Sequence, residues 1–165
     1  MPDKTFPEYY KVVSCYPRVT TGATIYPLAS QYVDTKYAQM VWINIHASQA
    51  DATVLAFTIE QATSFAGAGS TPITVAVPIW SNLDTSIAGS QDLLVRRTAA
   101  VSYSTDAAVK NKHVLFQLDP ATLNTAGGFR YIVLKCGAGA ATSYVAAEFI
   151  LDTRFKQATP PAAQV

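Results

Sequence analysis

Gln39-Met-Val-Trp-Ile-Asn-Ile-His46 alternates with a period of two: Val41, Ile43 and Ile45 fall on one side, and Met40, Trp42, Asn44 and His46 on the other. Successive side chains of an extended chain point to opposite faces, so this spacing predicts a strand with one buried face. The following stretch, Thr53–Glu60, groups Leu55, Phe57 and Ile59 and sends Thr58 and Glu60 outward. Gln49-Ala-Asp51 between them reads as a turn, and the two strands are expected to form a hairpin.

Working outward, further strands are expected at Ile73–Val77, Leu93–Val95, Ala100–Tyr103, His113–Leu118, Phe129–Cys136 and Tyr144–Leu151. All are rich in β-branched and aromatic residues and are bounded by Gly, Pro, Asp or Asn. Short helical turns are expected at Ser81–Gly89, capped by Asn82 or Asp84, and at Pro120–Thr125 after Asp119. No internal repeat or break in composition divides the chain. About eight short strands without a long helical pattern predict an all-β fold, a single-domain β-sandwich or jelly roll over residues 19–155.

Residues 1–18 read as an extended N-terminal arm, because Pro2, Pro7 and Pro17 interrupt Phe6, Tyr9, Tyr10 and Tyr16. These four aromatics are the candidate subunit or partner anchors, since tyrosine offers large contact area and a polar handle. The alternative is a strap closing the chain's own core. Residues 156–165, with the Pro160-Pro161 pair, read as a flexible C-terminal tail.

Composition narrows the function. A chain of 165 residues can bury roughly 70% of its unfolded surface without a metal or disulfide staple. Only 14% of residues are charged and the net charge is +1, which excludes a phosphate-tracking surface and hence nucleic acid as the main partner. The polar surface must come instead from hydroxyls and amides: the chain has 26 Ala, 18 Thr and 11 Ser. A charge fraction this low points to a surface that is covered in the working state, and so to an assembly component; the alternative is a Thr/Ser-rich β protein that stays soluble on hydroxyls without charge. No apolar signal region and no run of about 18 apolar residues is present, so no membrane partner is expected. Cys15 and Cys136 are too few for a disulfide framework and read as free thiols of a protein made in a reducing cytoplasm, their mutual distance left open.

Chemistry-bearing motifs are scarce. Gly-x-Ser-x-Gly is absent, and the two possible bases, His46 and His113, each sit in a strand pattern. His46, His113, Cys15 and Cys136 lack metal-ligand spacing, and no metal or cofactor is expected. Ala66-Gly-Ala-Gly-Ser70 and Gly137-Ala-Gly-Ala-Ala141 are followed by no Lys-Ser/Thr and no helix, so they read as β connections. Arg96 and Arg97 point to opposite faces of a strand and are expected to include one partner for an acidic residue, in this chain or a neighbour. Asp51, Asp84, Asp106 and Asp119 occupy turn positions, where a carboxylate bonds its own backbone. An enzyme is not expected.

Two stretches together carry a family resemblance. Phe57-Thr-Ile-Glu-Gln-Ala-Thr-Ser-Phe-Ala-Gly-Ala-Gly-Ser70 and Leu118-Asp-Pro-Ala-Thr-Leu-Asn-Thr-Ala-Gly-Gly-Phe-Arg-Tyr-Ile-Val-Leu-Lys135, closed by Ala147-Glu-Phe-Ile-Leu-Asp-Thr-Arg-Phe155, resemble small structural proteins of tailed bacteriophages. The resembling region spans residues 40–155 and is similar to jelly-roll-like capsid decoration, or cement, proteins. That resemblance implies a virion location on the capsid surface, the major capsid protein and further copies of the chain as partners, and a homotrimer as the first expectation. The implied activity is mechanical: bridging capsomers against internal pressure. The alternatives are another virion part, such as a head-completion, tail or fibre-associated protein, and a carbohydrate-binding β-sandwich.

Overall fold

The alternation at Val41, Ile43 and Ile45 is realised in the computed structural model, which describes residues 6, 8–23, 32–86, 89 and 91–155. The strands are β1 (Tyr10–Thr20), β2 (Val33–Asp34), β3 (Ala38–Ser48), β4 (Ala56–Ala62), β5 (Thr71–Pro72), β6 (Val77–Ser81), β7 (Val95–Ala100), β8 (Ser102–Ser104), β9 (Asn111–Leu118), β10 (Tyr131–Cys136) and β11 (Tyr144–Thr153). They form a six-stranded sheet in the order β1-β11-β3-β9-β6-β7 and a five-stranded sheet in the order β2-β10-β4-β5, with β8 also paired to β4. Every pairing is antiparallel.

The chain changes sheet at nearly every connection, giving β1-β11-β3-β9 opposite β2-β10-β4-β8. Two interleaved Greek keys in that order are the jelly-roll arrangement, and the segment β5–β7 is inserted between its fourth and fifth members. The expected Thr53–Glu60 hairpin is therefore absent: β3 and β4 lie in different sheets, and β3 pairs with β11 and β9 instead.

Between the sheets, Phe57, Phe116 and Phe149 interdigitate with Ile43, Ile45, Ile59, Ile79, Leu118, Ile132 and Leu134, all fully buried. Burying each such side chain contributes about 1.5–3 kcal/mol against chain entropy. The inserted and edge strands carry the prolines. Pro17 lies on edge strand β1 at a register break, and Pro78 lies in β6 where the pairing with β7 shifts. A residue without an N–H is tolerated at such places.

The predicted arm is shorter than expected, because β1 begins at Tyr10 and pairs with β11 from Tyr10↔Asp152 onward. Its prolines and bulges hid a strand. The helical turn after Asp119 takes the form of two 3-10 turns, Pro120–Thr122 capped by Asp119 and Thr125–Gly127 capped by Asn124, ended by Gly128 at φ 80°. Between Ser81 and Gly89 the described residues form no helix; Asp84 instead accepts from Ser86 N–H in a local turn. The Ala66–Ser70 loop links β4 to β5 through Gly67 and Gly69 at positive φ. The expected tail, residues 156–165, lies outside the described residues, as do residues 1–5 and Pro7 of the arm.

Crossing between sheets leaves backbone groups to be satisfied at one end of the sandwich. Gln49, 2% exposed, donates to Asp106 O and accepts from the Thr105 hydroxyl, which in turn accepts from Leu55 N–H. Lys112, buried on the inner side of β9, reaches the Asp106 carboxylate at 2.7 Å.

Candidate functional site

The two sheets present unlike faces to the outside. On the five-stranded sheet the outward side chains include Thr58, Glu60, Tyr131, Lys135, Asp34, Ser102 and Ser104, and Val133 in the Glu60 row is buried. Ion pairs Lys135–Glu60 at 3.7 Å and Arg130–Asp34 at 2.8 Å cross it. Arg130 also donates to the Tyr131 hydroxyl, and that bond together with the Asp34 charge raises its pKa.

The outer face of the six-stranded sheet is the more apolar of the two, with Glu148, Asp152 and Arg96 set among its aromatic and aliphatic side chains. Cross-strand register sets Val12, Ile150, Trp42 and Gln117 in one row, and Ser14, Glu148, Asn44, Leu115, Trp80 and Arg96 in the next. Tyr10, Asp152 and Met40 form a third row at the strand ends. None of the described ion pairs lies on this face. Arg96 stacks over Trp80 at 5.8 Å, while Arg97 donates to the Ser81 hydroxyl at 2.8 Å. Within the chain neither arginine forms a described ion pair: an aromatic ring and a hydroxyl of β6 take that place, while the Arg97 charge helps hold the Asp106 carboxyl below its ordinary pKa. Beside this edge, Leu83, Leu93, Leu94 and Val95 are all exposed, Leu93 at 63%.

The four candidate anchors separate. Phe6, 56% exposed, stacks on Tyr10 at 5.1 Å, and Tyr10 tilts against Trp42 at 6.1 Å, so these two extend the apolar face. Tyr9 is half-buried, and its carbonyl accepts from Thr153. Tyr16 turns inward, 3% exposed, and packs in the chain's own core with its hydroxyl unpartnered. An anchor role for Tyr16 is corrected by that burial: the bulge between Ser14 and Tyr16 shifts its side chain to the inner face. Burial, reinforced by the nearby Cys15 and Cys136, pushes its pKa well up. Both thiols are free and buried, and burial pushes each up to about 12.

A shallow trough of about 280 Å³ crosses the same face, lined by Val12, Ser14, Asn44, His46, Ala146 and Glu148 among others. It exists because Ala146 is small while its neighbours His46 and Glu148 are not. His46 and His113, 67 residues apart in sequence, are directly opposed in the β3–β9 register. Nothing local in the sequence announces that meeting; only the long-range pairing creates it. Among the described residues, no group of three or more His, Cys, Asp or Glu side chains is arranged to hold a metal ion, and no helix is long and apolar enough to cross a membrane.

Comparison with protein-family models, with curated proteins and with solved structures returned no match.

Proposed function

We propose that this chain is a virion structural protein that binds the outer surface of a phage capsid and stabilises the shell by bridging capsomers. The observation that carries the proposal is the asymmetry of the two outer faces: one is crossed by ion pairs, while the other gathers Trp42, Trp80, Tyr10, Val12, Leu115 and Ile150 around Glu148, Asp152 and Arg96 with no described ion pair. Aromatic and aliphatic residues with few charges are the composition of an interface centre. In this reading the apolar face meets the major capsid protein, the polar face meets solvent, and the role is mechanical and non-catalytic. The chain acts as a homo-oligomer, a trimer at three-fold sites. The sequence resemblance and the jelly-roll order support the same reading.

Purified protein mixed with expanded, empty shells of the cognate major capsid protein is expected to bind saturably and to raise the shell's melting temperature. Trp42→Ser and Ile150→Glu are expected to keep the fold, read by circular dichroism, and to weaken binding about thirtyfold or more, the cost of losing a central anchor. Wild-type protein that neither saturates nor protects shells ends the proposal. A second reading, a carbohydrate-binding module, is favoured by the trough, where Asn44, His46 and Glu148 lie beside the Trp42 row. Glycan-array binding abolished by Trp42→Ser, without shell binding, would select it.

A further inference from the structure

The end of the sandwich opposite Gln49 and Asp106 gathers positive charge. Three parts of the chain meet there: Thr35 and Lys36 in the turn from β2 to β3, Thr125, Phe129 and Arg130 in the connection from β9 to β10, and Arg154 just after β11. They line a cavity of about 290 Å³, the size at which small-molecule sites begin. Of the 12 lysines and arginines in the chain, Lys36, Arg130 and Arg154 border this one hollow, and no carboxylate is among the described residues that line it. None of these residues belongs to the rows of the six-stranded outer face, so the cavity stands apart from the proposed docking surface.

Backbone bonds fix each wall. Arg130 O accepts from Thr35 N–H at 3.0 Å and from the Thr35 hydroxyl at 2.7 Å, and Arg130 N–H donates to Ala62 O at 3.2 Å. Phe129 N–H donates to Asn124 O at 3.1 Å, and Arg154 N–H to Tyr37 O at 2.8 Å. The carboxylates next to the lining residues in sequence are already engaged. Asp34 takes Arg130 Nη2 at 2.8 Å and Lys36 N–H at 2.9 Å, and Asp119 takes Ala121 N–H at 2.9 Å as the cap of Pro120–Thr122. Lys36 and Arg154 enter none of the described ion pairs. Arg130 commits only Nη2, to Asp34 and to the Tyr131 hydroxyl, and its Nε is buried without a partner. Like charges around one hollow repel each other and attract an anion placed between them.

We propose that this cavity binds an organic oxyanion, a carboxylate or a phosphate monoester, whose charge meets Lys36, Arg130 and Arg154 and whose small apolar body lies against Phe129. The guanidinium fork matches the paired oxygens of either group. Phe129, half-buried, and the neighbouring Pro120 and Ala121 supply the apolar wall that a bare inorganic ion would not use. A small pocket that is held by backbone bonds, partly apolar and provided with a few converging polar groups is the usual form of a small-molecule site. The assignment does not depend on the capsid-binding role.

The test titrates the full, isotope-labelled chain at low salt with benzoate, phenyl phosphate and inorganic phosphate, each up to about 10 mM, and follows the backbone amides by NMR. Saturable shifts centred on Phe129, Arg130 and Arg154 are expected with at least one of the two organic anions, and the tighter of them identifies the anionic group. Inorganic phosphate is expected to bind more weakly than phenyl phosphate. Arg154→Gln, at an exposed position, is expected to keep the fold and to weaken binding about tenfold, the loss of one charge-assisted hydrogen bond. Arg18→Gln removes a cation that stacks on Tyr144 beside a different trough and is expected to change nothing. Absence of saturation with both organic anions overturns the proposal, as does an affinity that Arg154→Gln leaves intact or that Arg18→Gln lowers equally. Inorganic phosphate binding as tightly as phenyl phosphate overturns the assignment of an organic ligand.

Discussion

Asp106→Ala tests whether the buried ammonium of Lys112 depends on one carboxylate. The Lys112 side chain is 2% exposed and its Nζ lies 2.7 Å from Asp106 Oδ1, while Asp106 itself is 43% exposed. Removing one partner of a fully buried pair costs about 3–5 kcal/mol, because the remaining charge stays desolvated. Here the vacated position opens to water, which can resolvate the ammonium, so about 2–3 kcal/mol is expected. For a domain of this size that lowers the melting temperature by about 5–10 °C.

Lys112→Met removes the charge along with its need for a partner and is expected to cost less than about 1 kcal/mol, and the double variant to recover most of the Asp106→Ala loss. Burial works to raise the Asp106 pKa, but hydrogen bonds from Lys112 and Ala108 N–H, with the charges of Lys112 and Arg97, outweigh it and hold the carboxyl below its ordinary value. A depressed folded-state pKa gives stability that is present above the unfolded value of about 3.9 and is lost as pH falls through the folded value. The gap between wild type and Asp106→Ala should therefore be full at pH 7 and close below about pH 4. Differential scanning calorimetry across this range reads both. Melting temperatures within about 1 °C of each other at pH 7 would refute the pairing.

Two further outcomes are expected. Cys15 and Cys136, their thiols pushed up to about 12 by burial, should resist aromatic disulfide reagents at pH 8 in the native protein and react fully in denaturant; rapid native labelling would contradict their place in the core. Gly139→Ala would bring a Cβ to 2.5 Å from Leu55 Cδ2 and 2.8 Å from the Thr21 hydroxyl oxygen. A loss of about 1–3 kcal/mol should appear in the urea midpoint, and an unchanged midpoint would count against the tight β10–β11 crossing.

Period-two spacing made β3, β9, β10 and β11 legible in the sequence, because each buries one face and exposes the other or is buried throughout. β1 escaped notice: its bulges break the alternation near Pro17, and a proline-broken edge strand looks like an arm. β6 and β7 fell a few residues from the expected Ile73–Val77 and Leu93–Val95 strands. In β7 the cause is clear, since no residue of Val95–Ala100 is buried and the strand has no inward pattern to read. The false β3–β4 hairpin has another origin. Sequence adjacency favours pairing, whereas a jelly roll sends successive strands to opposite sheets. The His46–Asn44–His113 cluster was invisible as well, being written in the long-range β3–β9 register within one sheet rather than in local spacing.

β7 raises an energetic question that bears on the whole surface. Fixing each residue in a strand costs about 1–2 kcal/mol of backbone entropy, and β7 returns little of it through core burial. Its visible support within the chain is the ladder to β6, the Arg96 stack on Trp80 and the Arg97 bond to Ser81. Yet β6 and β7 extend one sheet to six strands and carry its apolar outer row on from Leu115 to Trp80. An isolated jelly roll gains little from such an extension, since it lays more apolar surface against water. Docking of that face, as proposed, removes the surface from water and supplies the burial that β7 lacks in the lone chain. The described ion pairs of the sheet faces lie on the outside of the five-stranded sheet, whereas Glu148, Asp152 and Arg96 on the widened sheet stand among aromatic, aliphatic and amide side chains with no described ion pair.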